Sequence, residues 1–147
     1  VTGFAERLRR VLPGLWAGLM LALGAVAAPS LFALLERSQA GLVAGRLFTV
    51  EAQLSLVMCI ALGLLERQRG ARRAAAGAGS RVSAELLLVL GALFCTVLGH
   101  FALQPMMEAA RAGQGRWSFG ALHGLSSALF LLKGLLVATL AWRATRA

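Results

Sequence analysis

Residues 119–142 read FGALHGLSSALFLLKGLLVATLAW. This stretch decides the fold. It is longer than the ~20 residues a helix needs to cross a hydrocarbon core. Leu and Ala dominate it and no period-two alternation appears, so it reads as a helix rather than a barrel strand. Only Lys133 interrupts it with a charge, and charge inside a span is costly.

Working outward, three further apolar runs cover residues 11–35, 47–65 and 82–103. Together they give an all-α, integral membrane fold, an antiparallel bundle of four transmembrane helices forming a single domain over residues 1–147. Composition agrees: 59% of the 147 residues are hydrophobic and the mean hydropathy is +0.75, against about half apolar for an ordinary soluble domain. The first run also resembles a secretory signal peptide, with Arg7, Arg9 and Arg10 ahead of it and Ala25-Val26-Ala27 inside it. The apolar run continues past that pattern to Leu35, which reads as a retained span.

The formal charge is +9. Basic residues flanking apolar spans are a signature of topology, and no basic stretch carries interleaved aromatics, so no nucleic-acid partner is expected. Ten arginines (7, 9, 10, 67, 69, 72, 73, 81, 143 and 146) fall on one side of a four-span layout and four (37, 46, 111 and 116) on the other. The positive-inside rule then places both termini and the 66–81 linker in the cytoplasm, in a bacterial inner membrane. Residues 74–80 of that linker are Ala- and Gly-rich and read as flexible. Arg67, Arg69, Arg72 and Arg73 are expected to meet anionic lipid headgroups. Between Leu34 and Gln39, and between Met106 and Ala112, the outer loops lack helix breakers and should be partly helical.

Small residues recur four apart: Gly14 and Gly18, Gly41 and Gly45, Gly120 and Gly124, continued by Ala128. The spacing suits close helix approach, read first as packing within the chain and second as homo-oligomerisation. Cys59 and Cys95 sit inside apolar runs without metal-ligand spacing and read as buried small hydrophobes. The two halves also echo one another. Pro29, Glu36-Arg37, Ala40-Gly41 and Gly45-Arg46 are matched by Pro105, Glu108, Ala112-Gly113 and Gly115-Arg116, a pattern compatible with two parallel hairpin repeats.

Polar groups at membrane depth are Glu51, His100, His123, Ser126 and Lys133, with Gln53 and Ser127 as weaker members. Side chains lean toward the N-terminus of their helix, which lets Lys133 reach the level of Glu51. Three readings follow. Glu51 and Lys133 form a buried ion pair with the histidines hydrogen-bonded between helices. Or the group lines an outward-facing polar pocket for a proton, ion or small molecule. Or His100 and His123 hold a haem. No metal site is expected, and no hydrolase, metalloprotease or phosphate-loop motif is present, so no catalytic residues are assigned.

Ala28-Pro29-Ser30-Leu31-Phe32, Ala40-Gly41, Gly45-Arg46-Leu47-Phe48 and especially Phe119-Gly120-Ala121-Leu122-His123-Gly124-Leu125-Ser126 carry a resemblance. The chain resembles uncharacterised bacterial four-helix membrane proteins, a domain-of-unknown-function family related to the eukaryotic transmembrane protein 205 group. The last segment is similar to that family's F-x-x-L-H-G-x-S motif, which singles out Phe119, His123, Gly124 and Ser126 beside Pro29. The family often has an Asn shortly after the Ser; Phe130 and Leu131 stand there in this chain. The resemblance implies four spans and a bacterial membrane, and no assigned reaction. The overall expectation is a non-enzymatic membrane protein that scaffolds or modulates partners in the bilayer, with transport as the runner-up.

Overall fold

In a computed structural model residues 2–146 are described, with side chains from Gly3 onward. Four long apolar helices make up the chain: α1 (Gly3–Leu34), α2 (Arg37–Ala75), α3 (Ala84–Arg111) and α4 (Phe119–Thr145). Each is long and apolar enough to cross a membrane.

The helices close into a ring. Each packs on two neighbours in the order α1, α4, α3, α2 and back to α1, so α1 faces α3, and α2 faces α4, across the diagonals. One buried cluster joins Trp16, Met20, Cys59, Leu62, Val89, Ala92, Val137 and Leu140 from all four helices. A second, between α3 and α4 alone, holds Cys95, Leu103, Met107, Leu122 and Leu129. Both cysteines are buried and free, as their apolar surroundings suggest. α1 buries the smallest share of its surface and leaves Leu15, Leu21 and Val26 outward.

One connection differs from the sequence expectation. The stretch taken as a linker, residues 66–81, is helical as far as Ala75, because nothing before Gly77 breaks the ladder. The true connector is only residues 76–83. It turns at Gly77, φ +70°, with Ala78 N–H bonded back to the Arg73 carbonyl at 2.8 Å, the left-handed glycine stop of a helix. The returning chain then runs so close to α2 that a Cβ on Gly70 would collide with the Arg81 carbonyl. At the other end the first turn is just Leu35 and Glu36, both extended; Leu34 and residues 37–39 are helical, so that loop is partly helical, as expected. Met106–Arg111 is helical, as expected, and closes with the same device at Gly113, φ +73°. Ser83 and Ser118 cap α3 and α4, their hydroxyls accepting from Leu86 N–H and Ala121 N–H at 3.1 Å.

The glycine pairs are corrected more sharply. A Cβ built on Gly14, Gly18, Gly41, Gly45, Gly120 or Gly124 would meet nothing within 4 Å. None of these pairs packs helices together within the chain. The close approaches use other glycines. Gly24 lies against the Phe130 ring, Gly91 against Leu136, and Gly99 against Leu129, each leaving a Cβ only 3.0–3.1 Å from the neighbour.

Gly24 and Gly99 share a further feature. Each lies in a six-residue π-helical widening, Ala22–Ala27 in α1 and Val97–Ala102 in α3. A proline disturbs the carbonyl four residues before it, through its ring and its missing N–H. For Pro29 that carbonyl is Ala25's and for Pro105 it is Phe101's, both inside the widened turns. The two-hairpin echo in the sequence therefore has a structural counterpart. Leu129 and Phe130, consecutive on α4, fill the two glycine notches from between α1 and α3.

Candidate functional site

At the centre of the ring a lysine on α4 meets a carboxylate on α2. Lys133 Nζ donates to Glu51 Oε2 at 2.8 Å, to Glu51 Oε1 at 2.9 Å and to Ser55 Oγ at 3.3 Å. All three ammonium donors are thus used. Ser55 is one turn on from Glu51, so both lie on the same face of α2, and Ser55 Oγ donates to Glu51 Oε1 at 2.5 Å. The Trp16 indole N–H on α1 completes the set by donating to Ser55 Oγ at 2.9 Å. Glu51 is 2% exposed and Lys133 3%. Phe130 covers the ammonium, its ring centroid 5.3 Å from Nζ, and stands edge-on to Phe48. The expected ion pair is present. Trp16 and Ser55 were not expected in it; Ser55's spacing of one turn from Glu51 was the signal that could have found it.

The other polar residues fall elsewhere. Ser126 Oγ donates to the Gly99 carbonyl at 2.7 Å, satisfying a carbonyl within the widened turn of α3. His100 is half-buried and meets Phe101 edge-on. His123 is exposed and stacks on Phe119, over which the Arg111 guanidinium also lies, 4.5 Å from the ring centre. No hydrogen bond of either imidazole to another helix is present among the described residues, so the expected interhelical bonding of the histidines does not form. Pro29, Gly124, Ser127 and Gln53 are exposed. An apolar groove of about 310 Å³ beside Leu31, Leu34 and Leu47 contains none of Glu51, His100, His123 or Lys133.

Two more ion clusters stand at the arginine-rich end, which the sequence reading left nearly bare of polar structure. Arg9, 2% exposed, binds Glu6 at 2.7 and 3.0 Å within α1 and reaches Glu66 of α2 at 3.4 Å. Glu66 is 1% exposed; its Oε2 accepts no hydrogen bond and has Arg69 Nη1 at 3.9 Å. Glu85 of α3 pairs with Arg143 of α4 at 2.8 Å. Glu66 and Glu85 were missed because the arginines around them were read for topology alone. An isolated acid among arginines was the available signal. Of the four arginines assigned to lipid headgroups, Arg69 is half-buried, while Arg67, Arg72 and Arg73 are exposed. Arg69, Arg72 and Arg73 line a groove of about 150 Å³ against Ala5 and Arg9.

The three clusters divide the labour. Arg9–Glu66 ties α1 to α2, Glu85–Arg143 ties α3 to α4, and Glu51–Lys133 crosses the diagonal from one hairpin to the other. Among the described residues no group of three or more His, Cys, Asp or Glu side chains is placed to hold a metal ion.

Fold and composition together define a multi-pass membrane protein built as a four-helix bundle. The chain belongs to the family described as domain of unknown function DUF4149, whose pattern matches residues 11–116. No curated protein and no solved structure matches the chain. The match covers Glu51 and Ser55 and ends before α4, which supplies Lys133 and the Phe119–Ser126 motif.

Proposed function

We propose that this chain is a non-enzymatic scaffold or modulator subunit of the bacterial inner membrane, with both ends and the 76–83 turn on the cytoplasmic side. The observation that carries the reading is the use made of the intramembrane charges. Glu51 and Lys133 bond each other, with Ser55 and Trp16 taking up the remaining hydrogen bonds, all four buried in the bundle. A transporter needs such groups to face a passage. Here they clamp two hairpins together, which suits a rigid body that presents its outer faces to the bilayer and to other proteins. The exposed Gly14, Gly18, Gly120 and Gly124 support the same reading, since they offer close approach to something outside the chain. The ten-to-four arginine asymmetry supports the orientation. The resemblance of Phe119–Ser126 to the motif of bacterial four-helix proteins related to the transmembrane protein 205 group fits this reading and brings no assigned reaction.

Co-purification from native membranes in mild detergent tests this reading. A stable protein partner at fixed stoichiometry is the expected result. Recovery of the chain alone, together with ion- or solute-dependent uptake in reconstituted vesicles, would replace the scaffold with a transporter.

A further inference from the structure

α2 has a face that the bundle does not use. Its inward stripe carries Glu51, Ser55, Cys59, Leu62 and Glu66. On the opposite side lie Val50, Gln53, Val57, Ile60 and Leu64, spaced three and four apart in alternation. Val57 is 61% exposed, Ile60 63% and Leu64 54%. That spacing is the heptad seam of helices that cross at a shallow angle. The β-branched residues lose little rotamer freedom on packing, which suits a contact surface.

Gln53 sits within this seam, exposed and without a hydrogen bond among the described residues. Arg46 and Arg67 bracket the apolar part of α2, and a rise of 1.5 Å per residue puts Gln53 about 10 Å from the first and about 21 Å from the second. The amide is therefore inside the hydrocarbon layer, where no water is on hand to satisfy it. A polar side chain facing lipid at that depth calls for a partner at that depth.

We propose that this face of α2 is the contact with a second copy of the chain, related by a two-fold axis along the membrane normal. Copies inserted in the same direction hold the same residue at the same depth. An isologous contact then brings Gln53 against Gln53. A carboxamide is its own complement, since its NH₂ donates and its carbonyl accepts. A pair of them closes without any third group. Val57, Ile60 and Leu64 pack along the seam below. Arg46 and Arg67 mark its ends, where like charges can splay to the headgroups. The small-residue stripe at Gly120 and Gly124 carries the exposed Ser127, but a serine hydroxyl can bond back to a carbonyl of its own helix, a recourse the longer Gln53 amide lacks, which is why α2 rather than α4 is chosen. The inference gives the proposed scaffold its first partner, and rests on that reading only for its purpose.

The test uses full-length chain in native membranes and a short thiol-specific crosslinker. Val57→Cys is expected to link to itself and give a species of twice the mass, while Leu131→Cys on α4 stays single. Adding Gln53→Leu to Val57→Cys is expected to lower the linked fraction at least tenfold, and adding Gln53→Asn to retain most of it. Circular dichroism of each purified variant checks that helicity is unchanged, and the Asn variant serves as the second probe if the Leu variant does not fold. A Val57→Cys chain that remains single, a linked fraction that ignores Gln53→Leu, or stronger linking at Leu131→Cys overturns the proposal. A Val57→Cys adduct with a different protein also overturns it, yet leaves the scaffold reading standing.

Discussion

Lys133 spends every donor it has on Glu51 and Ser55. Removing one side of a buried pair leaves the other charge without compensation, a loss of about 3–5 kcal/mol. Lys133→Met is therefore expected to lower the unfolding free energy in detergent by about that amount, followed through tryptophan fluorescence. Glu51→Leu combined with Lys133→Met removes both charges and should recover most of the loss; a double variant as unstable as the single one would count against a simple charge balance. Ser126→Ala is expected to cost less, about 0.6–1.7 kcal/mol, the range of interhelical hydrogen bonds in bilayers. Its partner is the Gly99 carbonyl of a widened turn, so amide exchange at residues 97–102 should rise with it. At this scale the sequence was partly legible. The Glu51–Lys133 pair followed from depth and side-chain lean. Trp16 did not, because an indole in an apolar run looks the same whether or not its N–H has a partner.

Among the elements, α2 is the longest, and its extension to Ala75 is held by the close return of the chain at Gly70. Gly70→Ala should force the Arg81 backbone away and lower the melting temperature by several degrees, whereas Gly120→Ala, which meets open space, should leave it unchanged. Equal effects at the two glycines would contradict the packing described for them. The contrast also shows where spacing misleads. GxxxG marks positions where another helix can come close; it does not say that the chain's own helices do so. Lone glycines at 24, 91 and 99 carry the real contacts, and no short pattern distinguishes them from any other glycine in an apolar helix. Ser118→Ala should cost about 0.5–2 kcal/mol through loss of the cap on α4.

At the scale of the whole molecule, the four spans and the all-α class were legible because apolar length and composition dictate them; the helix ends were not, since α2 begins at Arg37 rather than 47 and α3 runs on to Arg111 rather than 103. The order of helices around the ring was not, since every order satisfies the same hydropathy. Orientation has a direct check. With Gln114→Cys and Ser80→Cys placed in opposite turns, a membrane-impermeant thiol reagent applied to the periplasmic side is expected to modify the first and spare the second. The reverse result would invert the bundle and, with it, the assignment of the arginine-rich end to the cytoplasm.

The diagonal clamp has a consequence in time. Ribosomes deliver α2 before α4, so Glu51 enters the bilayer with its counter-ion still unmade. Until Lys133 arrives, the acid has no basic partner at its depth in the bilayer, and a chain stopped after α3 keeps it as an orphan. The pair thus dates the moment at which the molecule becomes complete: the first hairpin cannot settle until the second has been inserted beside it.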